Sequence, residues 1–151
     1  MDPKETINDI LVNLFNEILK LEEEAVITDE FKDITNNDMH IIEAIGLSGE
    51  NTMSAVAKRL GITAGSLTTS VNGLVNKKYV TRHRSEEDRR VVFLRLTEKG
   101  VRAYEHHREY HRQMTEAVLD RLSEEELPVL VKALKDLAEF FRGYGNQIHD
   151  N

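Results

Sequence analysis

Asp88 and Arg90 stand two residues apart in a charged turn, Ser85-Glu86-Glu87-Asp88-Arg89-Arg90. That spacing lets a carboxylate hold a guanidinium in a fixed direction. The turn separates two β-prone runs, Tyr79 to Arg84 and Val91 to Thr97, which predict a hairpin. An arginine fixed at the tip of such a hairpin can enter a DNA minor groove. A second group of chemically apt residues lies just upstream. Gly65, Ser66, Thr69, Asn72 and Asn76, with Thr68 at their edge, share one side of a helical pattern whose opposite side carries Leu67, Val71, Leu74 and Lys78. Small hydroxyl and amide side chains can read base edges, and a threonine methyl can touch a thymine methyl. Polar residues opposite a core also occur on any surface helix.

A third group is histidine. His107 and His111 are four residues apart and extend a stripe with Tyr104, Met114 and Val118. Four-residue spacing admits a shared metal ion, with His40, His106 or an acid completing the set. It also admits a hydrogen-bonded pair at an interface, or the lining of a ligand pocket, and two histidines alone are a weak metal motif. Cysteine is absent, which removes thiolate metal sites and cysteine nucleophiles.

The elements that must position these groups are mostly helices. Asp2-Pro3-Lys4-Glu5 starts a helix, and Ile7, Ile10, Leu11, Leu14, Phe15, Ile18 and Leu21 continue it as one long amphipathic segment. Thr35 caps a second helix with Met39, Ile42 and Ile45 on one face. Thr52 to Leu60, the turn Gly61-Ile62-Thr63, and Ala64 to about Lys78 form a helix-turn-helix. Thr97 caps a fifth helix to about Arg121, and Ser123-Glu124-Glu125-Glu126 caps the last, in which Leu127, Leu130, Leu134, Leu137 and Phe141 recur by threes and fours. The fold class is mainly α with a small β-wing: a winged helix-turn-helix with long terminal helices whose apolar stripes call for a second copy of the chain, a monomeric helical bundle being the alternative.

The formal net charge of −7 is segregated. Residues 53–100 carry ten Lys or Arg against four Asp or Glu, a net of +6, and the rest of the chain carries ten against 23, a net of −13. A basic middle between acidic flanks presents one face to phosphates and repels them elsewhere. No apolar run reaches the roughly 18–20 residues of a membrane span, and the first 25 residues lack the pattern of a signal peptide, so a cytoplasmic protein without membrane contact is expected.

The Asp88-x-Arg90 turn followed by Leu94-x-Leu96-Thr97-x-x-Gly100 resembles the signature of the MarR family of bacterial transcription regulators. The likeness extends over nearly the whole chain. Three further runs, Phe31 to Thr35 with Asp38 to Gly46, Thr68 to Leu74, and Arg84 to Val92, are similar to the FabT-type repressors of fatty-acid synthesis. The resemblance implies one chain, 1–151, with a winged DNA-binding lobe at 36–100 and dimerisation helices at 1–30 and 101–151. It implies that the helix with Thr69 and Asn72 enters the major groove and Arg90 the minor groove; Arg84 and Arg89 beside it are candidates for phosphate contacts. A homodimer would place two such helices about one DNA turn apart on a near-palindromic operator.

The same resemblance implies repression of fatty-acid synthesis genes, with long-chain acyl groups on acyl carrier protein as corepressor. The acyl chain would lie among Leu14, Ile18, Met39, Ile42 and Met114, with His107 and His111 nearby, and Arg102, Arg108 or Arg112 would face the acidic carrier. Histidines at this place in FabT-like proteins favour a pocket or an interface over zinc.

Rival classes fare less well. Ser66, Thr69 and Ser123 have no partner base in the sequence, and no glycine-rich phosphate loop follows a strand, so neither an enzyme nor a cofactor is expected. Sensing of another small ligand or zinc, and a winged-helix protein-interaction module, are the alternatives. The basic wing argues against the last.

Overall fold

The computed structural model describes residues 2–49 and 51–149, the side chains of 146–149 excepted. It divides into two compact units, one ending at Tyr110 and the other beginning at His111. The first unit thus takes in the first helix and part of the fifth along with the winged lobe.

The chain enters through α1 (Pro3–Asp9), where Asp2 accepts from the Lys4 backbone N–H at 3.0 Å and Pro3 fills the first helical position. A π-helical stretch, Ile10–Leu14, leads into α2 (Phe15–Val26), so the expected single segment is continuous but carries a π interruption. Its apolar stripe is largely exposed, and within this part only Glu22 and Val26 are buried.

Helix α3 (Asn36–Ile45) has a reciprocal cap: Thr35 Oγ1 accepts from the Asp38 N–H, and Asp38 Oδ2 accepts from the Thr35 N–H, each at 3.1 Å. Gly46 ends it at φ 66°, a left-handed turn that costs glycine no Cβ clash. The two-residue strand β1 (Asn51–Thr52) follows, unforeseen from the sequence, and Thr52 then caps α4 (Met53–Leu60). Gly61 closes α4 in the left-handed region, and Thr63 caps α5 (Ala64–Asn76) by accepting from the Ser66 N–H at 3.1 Å.

The sequence pattern carries α5 on to about Lys78, with that lysine on the core side. The structure corrects this: α5 ends at Asn76, and Lys78 is exposed at φ 67°. The reversal lets Tyr79 enter the core instead, its N–H donating to Leu74 O at 2.9 Å.

Strands β2 (Val80–Arg84) and β3 (Val92–Leu96) pair antiparallel with Val80 opposite Leu96 and Arg84 opposite Val92. Strand β1 adds to the other edge of β3, giving the order β1-β3-β2. Under this sheet lies a core of Met39, Ile41, Ile42, Ile45, Val56, Leu67, Val71, Leu74, Tyr79 and Leu94, none more than 1% exposed. At roughly 1.5–3 kcal/mol per buried large side chain, this core is the main source of stability for the lobe.

Helix α6 (Glu98–Leu119) is started by Thr97, whose Oγ1 accepts from the Gly100 N–H at 3.1 Å and donates to Lys78 O at 2.6 Å. One side chain therefore pins the start of α6 to the turn after α5. The second unit continues α6 and adds α7 (Glu126–His149), capped by Ser123 and Glu126 in the expected reciprocal box. No residue of α7 up to Gly145 is buried. Among the described residues, no helix is long and apolar enough to cross a membrane.

Candidate nucleic-acid interface

The two faces of α5 separate as the pattern predicts. Leu67, Val71 and Leu74 are fully buried, and Gly65, Ser66, Thr68, Thr69, Asn72 and Asn76 are exposed. The hydroxyls are not all equivalent. Thr68 Oγ1 donates to Ala64 O at 2.8 Å and Thr69 Oγ1 to Gly65 O at 3.2 Å, so both turn acceptor lone pairs and a methyl outward. Ser66 Oγ accepts from Thr63 Oγ1 at 3.0 Å, which leaves its own hydroxyl hydrogen to donate.

Asn72 has a partner that sequence reasoning missed: Arg82 Nη1 on β2 donates to its Oδ1. Period-two alternation was the available signal, since Arg82 and Arg84 share the strand face of the buried Val80. Asn72, Arg82 and Arg84, with Thr68 and Met53, line a cleft of about 510 Å3 between α5 and the base of the wing.

The wing is built from its turn outward. Ser85 N–H donates to Val91 O and Val91 N–H to Asp88 O, each at 2.9 Å, closing the loop at the end of the strands. Asp88 then holds Arg90 as the spacing predicts. Nε donates to Oδ1 and Nη2 to Oδ2, both at 3.1 Å, and the Arg90 backbone N–H donates to Oδ1 as well. Hydrogen bonds from the Arg90 side chain, and next from its backbone, hold the Asp88 carboxyl below the usual carboxylate range. The Arg90 side chain remains 91% exposed. Arg84 and Arg89 are exposed beside it, and His83 stacks on Phe93 with ring centroids 5.3 Å apart, stiffening the hairpin.

Several other basic groups of the lobe have structural partners. Lys77 pairs with Asp38 at 3.1 Å, Arg59 donates to Ala44 O at 2.7 Å, and Arg95 donates to Gly49 O at 3.2 Å. Lys99 lies 3.5 Å from Asp33 and 4.3 Å from the Tyr79 ring centre. These cations brace the lobe, whereas Arg84, Arg89 and Arg90 face outward.

The residues expected around an acyl chain are distributed differently. Leu14 is exposed and Ile18 half-buried, while Met39 and Ile42 are packed at 1% and 0% exposure in the core of the lobe. His107 is buried in the first unit with Nε2 3.2 Å from Oε1 of both Glu22 and Glu43, which links α6 to α2 and α3. Neither glutamate was singled out in the sequence, where acids are too abundant for any one to signal a buried partner. His111 and Met114 fall in the second unit, both half-buried. Of the candidate carrier-facing arginines, Arg102 pairs with Glu30 at 2.7 Å and Arg112 with Glu116 at 2.5 Å.

Comparison with known proteins agrees with this geometry. The MarR family profile matches residues 32–91, from the loop before α3 through the wing turn. A crystal structure of Streptococcus pneumoniae FabT in complex with DNA is 42% identical and superposes with a TM-score of 0.86, covering 93% of this chain and 98% of that one. The HTH-type transcriptional regulator YpoP of Bacillus subtilis (strain 168) is 27% identical over 106 residues, 70% of this chain and 75% of that protein. The HTH-type transcriptional repressor YetL of the same organism is 33% identical over 84 residues, 56% of this chain and 50% of that protein. With an exposed polar face on α5, an arginine-tipped wing and a relative of this identity aligned over almost its full length, the chain belongs to the MarR family of DNA-binding transcriptional regulators.

Proposed function

We propose that this chain is a cytoplasmic, homodimeric repressor of fatty-acid synthesis genes that binds a near-palindromic operator more tightly when long-chain acyl carrier protein is present. The observation that carries the reading is the 42% identity to the DNA-bound FabT structure across 93% of this chain. In this reading Gly65, Ser66, Thr68, Thr69, Asn72 and Asn76 lie in the major groove, Arg90 held by Asp88 enters the minor groove, and Arg84 and Arg89 contact phosphates. The exposed apolar faces of α1, α2 and α7 form the dimer. An acyl chain of about 16–18 carbons offers roughly 0.8 kcal/mol per buried methylene, ample to select one spacing of the two reading helices.

A second reading substitutes zinc for the acyl chain. It draws on His107, whose Nε2 lies 3.2 Å from a carboxylate oxygen on each side. One experiment separates the two. Affinity for promoter DNA of the type II fatty-acid synthesis operon is measured by fluorescence anisotropy with free carrier protein, long-chain acyl carrier protein, zinc, and a chelator in turn. Tighter binding with the acylated carrier alone supports the corepressor role. A response to zinc alone, abolished in His107→Ala, overturns it in favour of metal sensing, and no binding to that DNA removes the fatty-acid assignment.

A further inference from the structure

Arg82 reaches from β2 across to α5 and gives a hydrogen bond from Nη1 to Oδ1 of Asn72. Arginine carries donors only, and an amide carries its acceptor at one corner and its donors at the other. The partner therefore fixes which way the amide is turned. Oxygen faces Arg82, and the NH2 group faces away.

An asparagine with an unconstrained amide pairs with adenine through both corners, accepting from N6 and donating to N7. Asn72 is differently placed. Its oxygen already accepts a charge-assisted bond of the stronger kind, which occupies one of its two lone pairs and turns the NH2 group away from Arg82, so the amide offers DNA its donor corner first. Donors suit purine N7, guanine O6 and thymine O4, and they oppose the amino groups of cytosine and adenine. One turn back on the same face, Thr68 and Thr69 have already turned their hydroxyl hydrogens to Ala64 O and Gly65 O. The outer face of α5 thus carries acceptors and methyls at one level and an oriented donor at the next.

We infer that Arg82 is a positioning residue for sequence specificity: by holding Oδ1 of Asn72, it makes that amide read its base pair as a donor. The inference rests on the reading of α5 as the base-contacting helix. Arg82 and Asn72 both border the cleft between α5 and the wing, and both are exposed, so neither is needed to fill the core.

The test uses the full-length protein and double-stranded DNA selected from a random pool by the unaltered chain. Affinities are measured for the selected site and for every single-base variant of it, with the unaltered protein, Arg82→Met, Asn72→Ala, the double variant, and Asn72→Asp. Methionine keeps the aliphatic reach of Arg82 and removes its donors. The expected result is a loss of preference of about fivefold or more at one base pair per half-site in Arg82→Met, a size typical of an indirect effect on one base contact. Asn72→Ala should lose preference at the same pair, and adding Arg82→Met to it should change nothing further there. Asn72→Asp keeps the acceptor for Arg82 and lacks the NH2 donor, so it should lose the preference as well.

An Arg82→Met variant that binds all sequences more weakly by one common factor, with a salt slope shallower by about one and effects additive with Asn72→Ala, makes Arg82 a phosphate contact and overturns the inference. An unchanged Arg82→Met profile overturns it too. A pool from which the unaltered protein enriches no site overturns the reading of α5 itself, and this inference with it.

Discussion

Asp88 grips Arg90 by two parallel bonds of 3.1 Å while the arginine side chain stays 91% exposed, so the pair orders a cation without burying it. Exposed ion pairs contribute little to folding, and the effect of this one lies in the direction it gives the guanidinium. Arg90→Ala is expected to weaken operator binding and to reduce the salt slope by about one. Asp88→Ala should weaken it less, with the melting temperature unchanged in both. Arg90→Lys should not restore affinity, because an ammonium cannot make the forked bond. Since Arg90 lowers the Asp88 value, the pair persists at neutral pH and is lost only as pH falls through a point below about 3.9. Carboxylate chemical shifts followed by NMR titration check that sign, and titration of Asp88 above its usual value would contradict it.

Gly100 is expected to reject even the smallest side chain. A Cβ there would lie 2.1 Å from the Tyr79 carbonyl oxygen, itself the acceptor of the Thr97 N–H, and 3.2 Å from Leu96 Cβ. Backbone has to move to admit it, and Gly100→Ala should cost about 3 kcal/mol. Gly73, inside α5, is the control: a Cβ there meets nothing within 4 Å, and Gly73→Ala should gain about 0.5–1 kcal/mol of helix stability. Urea unfolding of the two variants measures the contrast, and equal midpoints would refute the close-packing argument.

What the sequence revealed of this lobe was local in origin. Thr35, Thr52 and Thr63 announce helix starts through side chains that cap their own backbone, and Leu67, Val71 and Leu74 announce a buried face by spacing alone. Asp88 and Arg90 are two residues apart, so their bond was legible as well. Features made by distant partners were not. Strand β1 exists because Asn51 and Thr52 meet Leu94 and Phe93, more than 40 residues away, and nothing near Ser48-Gly49 marks a strand. The left-handed turn at Lys78 is set by Tyr79 entering the core, which a helical stripe read through Lys78 conceals. Arg82 and Asn72 belong to different elements, and the π-helical stretch lies inside an unbroken apolar pattern.

Tyr79 and Asp33 should make stability sensitive at both ends of the pH scale. The Tyr79 hydroxyl donates to Asp33 Oδ1 at 2.5 Å, with Lys99 beside both. Burial and then the bond to Asp33 push the Tyr79 phenol above its ordinary value. Burial pushes the Asp33 carboxyl up, but the bond from Tyr79 and the charge of Lys99 outweigh it and leave the value lowered. A raised value contributes stability that is complete below about pH 10 and lost as pH rises toward the folded value; a lowered one contributes above about pH 3.9 and is lost as pH falls through the folded value. Tyr79→Phe should cost about 1–2 kcal/mol at pH 7 and flatten both limbs. Thermal melts from pH 3 to pH 11 test this, and limbs of unchanged steepness in the variant would count against the pair.

The terminal helices carry the last expectation. In α7, Val129 is 68% exposed, Leu134 51%, Phe140 59% and Phe141 49%, and in the first helical segment Ile7, Leu19 and Leu21 exceed half exposure. Large apolar side chains exposed in this number mark an interaction site, and covering each of them stabilises by roughly 1.5–3 kcal/mol. A second copy of the chain would supply matching faces, because a twofold contact sets the same patch against itself. The intact protein should therefore sediment as a dimer at micromolar concentration. The double variant Leu134→Glu with Phe141→Glu should dissociate or lose helix content by circular dichroism. Its DNA binding should change with it: a dimer gains from two half-sites joined on one duplex, whereas a folded monomer binds the full site and an isolated half-site alike. A monodisperse monomer for the unaltered chain, or a double variant that remains a dimer with its full-site preference intact, would place the interface elsewhere.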